Sequence, residues 1–180
     1  VTTYVGLLGG INVSGQKLMK MKDLQLALGG SGLLDVRTYI QSGNFVFRSR
    51  SRSASALSKT VREAIAERFD YDVPTLVISA QELRVIAAAN PYENDAEKDP
   101  ARTFVMFFVG TPEAKNIASL PAAPADKITF HVGARAVYAH YPEGYGTTKM
   151  DKNFFEKRLG IPMTARNLRT VRVLMEMTED

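Results

Sequence analysis

The chain has 180 residues, 45% of them apolar and 23% charged, with a net charge of +4 and no cysteine. This length buries roughly 70% of the unfolded surface, enough for one large or two small self-standing cores. The absence of Cys excludes a disulfide framework, a thiolate metal site and a thiol nucleophile. No apolar run reaches the roughly 20 residues of a membrane span, and no basic-then-apolar leader opens the chain. A cytoplasmic protein without a membrane partner is the expectation.

Taken in chain order, Thr3–Leu8 reads as a strand ending in Gly9-Gly10, and Met21–Leu28 as a short helix with Leu24 and Leu28 on one side. Residues 36–48 read as a tight hairpin. Ser42-Gly43 supplies a two-residue turn, because Gly tolerates the positive φ that such a turn demands. That turn would pair Ile40 with Phe45 and Thr38 with Phe47. Alternation then puts Val36, Thr38, Ile40, Phe45 and Phe47 on a core face, with Arg37, Tyr39, Gln41, Asn44, Val46 and Arg48 opposite. Leu57, Val61, Ala64 and Ile65 recur at helical spacing, and Val73–Ile78 is a strand. The order β-α-β-β-α-β is the ferredoxin-like unit. Ser79-Ala-Gln-Glu82 is a capping box opening a helix that must stop before Pro91.

Residues 92–101 are polar and proline-bearing and read as a linker between subdomains 1–91 and 102–180. The order then restarts. Thr103–Val109 is a strand, apolar on both faces. Thr111-Pro112 supplies an N-cap and a first-turn Pro for a helix running towards Leu120. Lys127–Val132 and Ala136–Tyr141 form a second hairpin; a two-residue turn at Ala134-Arg135 would pair Phe130 with Ala139 and His131 with Tyr138. Asp151–Leu159 is a helix closed by Gly160. The last strand is expected to be reduced to something near Ile161–Thr164. Thr164 would then cap a C-terminal helix with Leu168, Val171, Leu174 and Met175 on its buried stripe. The fold class is therefore α+β: two ferredoxin-like subdomains in tandem, the second incomplete, with a C-terminal helix.

Five ordered motifs carry a family resemblance: Leu-Leu-Gly-Gly-Ile-Asn-Val at 7–13, Val-Arg-Thr-Tyr-Ile-Gln-Ser-Gly-Asn-Phe-Val-Phe at 36–47, Ala-Asn-Pro-Tyr at 89–92, Tyr-Pro-Glu-Gly-Tyr-Gly-Thr-Thr-Lys at 141–149, and Thr-Ala-Arg-Asn-Leu-Arg-Thr-Val at 164–171. Together they resemble domain-of-unknown-function family 1697 over essentially the whole chain. The resemblance implies a bacterial protein with two ferredoxin-related halves and implies no activity. The family usually has Arg at the position of Gly9 and Trp at that of Leu168, so neither a phosphate role for the first nor a stacking role for the second carries over.

Two glycine loops are candidate anion cradles, since backbone N–H groups after a strand favour phosphate. Gly10–Lys17 offers Asn12 and Lys17, but lacks the Gly-Lys-Ser/Thr order of a phosphate loop. Gly144–Lys149 offers Tyr145, Lys149 and the Thr147-Thr148 hydroxyls. Arg166 and Asn167 are candidates to join it. The hairpin face of Arg37, Tyr39, Gln41 and Asn44 is a candidate ligand platform, and Arg48, Arg50 and Arg52 form a basic cluster separated by serines. In every case the plain alternative is a capped turn or a solvated face. His131 and His140 share a hairpin face, but nothing names a third ligand, so no metal is assigned. No nucleophile motif is present, and the sequence leaves cofactor use open. Three readings stand open: a binding module for a phosphorylated ligand or nucleic acid using an inter-subdomain cleft and the glycine loops, a small-molecule enzyme with its site between the halves, or a non-catalytic structural protein whose polar faces are interfaces, a homodimer included.

Overall fold

The computed structural model describes residues 1–122 and 127–180. By internal packing the chain divides into two compact units, Val1–Arg84 with Val173–Asp180, and Val85–Arg172. Residues 92–101 fall inside the second unit. There Arg172 Nε pairs with Glu93 Oε1 at 3.0 Å and its Nη2 donates to the Glu93 carbonyl.

The first unit runs β1 (Thr2–Leu8), α1 (Met21–Gly30), β2 (Leu34–Tyr39), β3 (Asn44–Ser49), α2 (Ala54–Phe69), β4 (Thr75–Ser79), followed by α3 (Ala80–Ala88). Its antiparallel sheet has the order β2-β3-β1-β4, the ferredoxin-like arrangement. Leu24 and Leu28 of α1 and Leu57, Val61 and Ile65 of α2 bury one stripe each against Tyr4, Leu8, Phe45, Phe47 and Val77 of the sheet. Helix α2 is closed at its start by Ser53, whose hydroxyl accepts from Ala56 N, and at its end by Asp70 in the left-handed conformation. The Ser79–Glu82 capping box forms with both reciprocal bonds, at 2.7 and 3.1 Å.

The second unit repeats the order: β5 (Thr103–Phe108), α4 (Ala114–Ala118), β6 (Thr129–Val132), β7 (Ala136–His140), α5 (Lys152–Leu159), β8 (Met163–Asn167), then α6 (Leu168–Met177). Its sheet order is β6-β7-β5-β8. Its core gathers Met106, Phe108, Val137, Ala139, Tyr141, Phe155 and Leu159. The second hairpin takes the expected register, Phe130 with Ala139 and His131 with Tyr138. Helix α5 is capped by Asp151 and ends on Gly160 at φ 72°.

Four local expectations are corrected. The final strand is a full five residues paired along β5 from Phe104–Asn167 to Phe108–Met163. Thr164 lies within it, and Asn167 caps α6 instead by accepting from Thr170 N. What is reduced in this unit is α4, which begins after Glu113 rather than at Pro112 and has no side-chain cap. Ser42-Gly43 is not a two-residue turn: Thr38 pairs with Phe45 and Tyr39 with Asn44, so Ile40–Gly43 form a four-residue loop. This shift of two residues leaves every paired side chain on its expected face, because the strand period is two. It removes Ile40 from the core, where it lies half exposed at φ 47°.

Gly6 sets the closest approach in the first core. It pairs with Phe45, and the phenyl ring lies across it, so that a Cβ built on Gly6 would sit 2.0 Å from Phe45 Cζ. Phe45 is fully buried and stacked on Phe47, so its ring has little room to give. Gly6→Ala should cost about 1–3 kcal/mol, as overpacked cores do. Gly29→Ala, at a helical position facing open space, should instead be neutral or stabilise by up to about 1 kcal/mol. Urea unfolding of the two variants checks the contrast.

Candidate functional site

In the first unit the candidate residues brace the fold. The Gly10–Lys17 loop takes five positive φ angles, at Gly10, Asn12, Ser14, Gly15 and Lys17, and Leu18–Lys20 intervene before α1 begins. Asn12 holds it: Nδ2 donates to the carbonyls of Met19 (2.9 Å) and Gln41 (2.7 Å), and Oδ1 accepts from Met19 N (2.7 Å). Asn tolerates the left-handed backbone better than most residues, which suits it to this position. Asn12 therefore joins the first glycine loop to the hairpin loop, and it explains why Ser42-Gly43 does not close a tighter turn. Leu8 N also donates to Gly43 O, at 2.9 Å. Lys17 Nζ donates to the Asp72 carbonyl at 2.7 Å. The Asp72 carboxylate bonds Arg62 and is held below the usual carboxylate range by that contact.

The hairpin face is similarly engaged. Arg37 donates through Nη2 to the Met177 carbonyl (2.5 Å) and through Nη1 to Asp180 Oδ2 (3.0 Å). It thus anchors the C-terminal residues of the first unit. Asn44 is fully buried, its amide donating to the Tyr39 carbonyl and to Ser42 Oγ. Tyr39 is half-buried and the Gln41 side chain exposed.

In the second unit the sheet separates the remaining candidates. Arg166 pairs with Val105 and Val105 with Tyr138, which places Arg166 on the face away from Tyr141, Phe155 and α5. It is partly buried, and lost hydration lowers its guanidinium to about 10. Tyr138, on the same face, is buried and donates to the Ile86 carbonyl at 2.6 Å. Burial pushes its hydroxyl up to about 12. His131 stacks on Tyr138. His140 is buried on that face too, and desolvation, reinforced by Lys98, lowers its pKa. Asn167 is occupied as the α6 cap. Among the described residues no three His, Asp or Glu side chains converge as a metal site would need.

The Gly144–Lys149 loop lies on the α5 side of this sheet and borders a cavity. Tyr145 stacks on Phe104 at 4.5 Å and meets Tyr141 edge-on at 5.1 Å. Its hydroxyl accepts from Lys152 N at 3.0 Å, and Tyr141 donates to the Met150 carbonyl at 2.7 Å. These two tyrosines fix both ends of the loop. Thr148 Oγ1 accepts from Met150 N, while Thr147 and Lys149 are exposed. The loop walls a cavity of about 390 Å³ lined by Lys127, Ile128, Tyr141, Glu143, Gly144, Thr147 and Thr148. Lys127, Ile128 and Glu143 were not legible as site residues. Glu143 lay inside the quoted 141–149 motif. Ile128 could have been found from the hairpin register, which places it opposite Tyr141, one step beyond the Thr129–His140 pair.

Two outcomes follow from these contacts. Asn12→Ala, which deletes three hydrogen bonds at a left-handed position, should destabilise by about 2–3 kcal/mol and speed hydrogen exchange at the Met19 amide. Tyr138 titrates higher folded than unfolded, so the native state holds the extra proton between pH 10 and 12 and stability falls as pH rises through that window. The fall attributable to Tyr138 is about 2–3 kcal/mol. It should be missing from the Tyr138→Phe variant in alkaline urea titrations, the contribution of buried Tyr141 remaining in both.

A family model described as a protein of unknown function (DUF1697) matches residues 1–138. A solved structure, that of the conserved bacterial protein SP0830 from Streptococcus pneumoniae, shares 21% identity and covers 99% of each chain with a TM-score of 0.74, a likeness of fold. Among curated proteins none matches. No described helix is long and apolar enough to cross a membrane. With its family model matched over more than three-quarters of the chain, from β1 into β7, this protein belongs to the DUF1697 family.

Proposed function

We propose that this protein is a non-catalytic binding module for a small phosphorylated ligand, seated in the cavity of the 141–148 loop and working in the cytoplasm. The observation that carries the reading is the lining of that cavity. Ile128 and the Tyr141 ring give an apolar wall, and Thr147, Thr148 and Lys127 give hydroxyls and a cation. A few placed polar groups on an apolar wall is the usual composition of a small-molecule site. Thr147 makes no hydrogen bond among the described residues, so its hydroxyl is available to a ligand. The exposed Lys149 adjoins it in the chain and adds a second cation. The loop itself is held from behind by Tyr141 and Tyr145, which limits the ordering cost of binding. Glu143 on the rim opposes an anion and gives the site a preference for ligands whose phosphate sits towards Lys127.

Thermal-shift and calorimetric titrations with inorganic phosphate, sugar phosphates and nucleoside monophosphates test the reading, because a ligand of the folded state raises its stability. At least one organic phosphate should bind in the millimolar range or tighter. Lys127→Ala should weaken it about tenfold, the worth of one charge-assisted hydrogen bond, and Glu143→Gln should tighten it several-fold. Uniformly flat titrations, or binding that ignores both substitutions, would sink the proposal.

A further inference from the structure

The segment that leaves β3 is an unusual piece of backbone. Residues 48–53 read Arg-Ser-Arg-Ser-Arg-Ser, and each serine is a rung of one hydrogen-bonded series. Ser49 Oγ accepts from Ser51 N (3.1 Å), Ser51 Oγ accepts from Ser53 N (3.2 Å), and Ser53 Oγ accepts from Ala56 N (3.1 Å). The inner side is tied to the core as well. Ser49 is buried, and the Ser51 carbonyl accepts from the hydroxyl of Tyr4 (2.8 Å), itself buried and stacked on Phe47. Arg48, Arg50 and Arg52, which alternate with these serines, are all exposed.

We infer that this arginine ladder is a docking surface for the phosphate backbone of a single-stranded nucleic acid. Arg50 and Arg52 have no ion pair or hydrogen bond from their side chains among the described residues. Arg48 pairs only with Asp35, at 3.2 Å, with both side chains more than half exposed, and such a pair exchanges readily for a phosphate. Three exposed guanidiniums within five residues of one hydrogen-bonded segment suit a partner whose own charges are strung along a chain, and each matches a phosphate by its planar fork. The backbone is already ordered by the serine rungs, so little freedom is lost there on binding. No exposed aromatic ring interrupts the ladder, so contact is electrostatic and indifferent to sequence.

Fluorescence anisotropy of the full chain with a labelled 20-nucleotide oligothymidylate tests this. Three phosphate contacts give a slope of log affinity against log salt of about −2, and hence about 16-fold weaker binding at 200 mM than at 50 mM salt. Arg50→Ala/Arg52→Ala should lose at least tenfold at 50 mM salt and flatten the slope to about −0.7. Lys20→Ala/Lys22→Ala removes the same charge from exposed positions elsewhere in this unit and should change affinity less than twofold. Arg50→Glu, a single exposed change, should repeat the loss, and circular dichroism checks the fold of all three. The inference is overturned by any of four results: no binding at 50 mM salt, a ladder variant that binds like the parent, an equal loss in the lysine variant, or binding to phosphatidylglycerol vesicles in place of the oligonucleotide.

Discussion

The contact on which the first unit depends is the phenyl ring of Phe45 lying flat across Gly6. The absence of one Cβ lets the two central strands bring an aromatic ring over the sheet's own backbone. From it follows a continuous aromatic row, Phe45 on Phe47 and Phe47 on Tyr4, which fills the space beneath α1 and α2. The row ends at the Tyr4 hydroxyl, which reaches the Ser51 carbonyl. The position of the chain beyond β3, arginines included, is thus continuous with the packing of the core. Next to this contact Gly43 approaches Leu8 and Ile11 so closely that a Cβ there would meet Leu8 Cβ at 2.7 Å. A glycine on β1 and another in the hairpin loop let the hairpin seat against β1 and the loop that follows it.

The second unit uses the same strand order with a different allocation of helix. Among the described residues its first crossover contains the five-residue α4, against ten residues in α1. The space over the sheet is filled partly by the chain between β7 and α5, with Tyr141, Tyr145 and Met150 packed into the core. A loop that is itself part of the core is rigid at its ends and exposed at its middle. That is the physical origin of the cavity beside Thr147 and Thr148. Loops positioned by a rigid scaffold are where binding residues concentrate.

The local signals in the sequence were strong wherever a single element decided the outcome. The Ser79–Glu82 box, the Asp151 cap, the Gly160 stop and the register of the second hairpin all took the expected form, because each is satisfied by atoms within a few residues. The first hairpin differed because its loop bonds to distant partners: Asn12 grips the Gln41 carbonyl and Leu8 grips Gly43. These outweigh the local preference of Ser42-Gly43 for a two-residue turn. β8 is longer than its local sequence predicts for the same reason. Thr164-Ala-Arg-Asn carries little strand propensity of its own, and its pairing is set by the apolar edge that β5 offers. Among the site candidates, spacing identified Tyr145, Thr147, Thr148 and Lys149 as one loop. It could not show that Arg166 faces the other side of the sheet, since that follows from the pairing of β8.

The sequence by itself determined the element order, the α+β class, the doubled ferredoxin-like plan and which side of each strand is apolar, because periodicity of two or 3.6 residues is a local property. Tertiary structure alone decided what the polar residues do. Arg37 binds the C-terminal Met177 and Asp180, Asn12 bridges two loops, and Asn44 fills the inside of its own turn. A polar side chain is read as a site or as a brace by the partner it meets, and those partners lie up to 143 residues away in the chain. Thr147 beside the cavity, and Arg50 and Arg52 beside their serines, meet no such partner among the described residues.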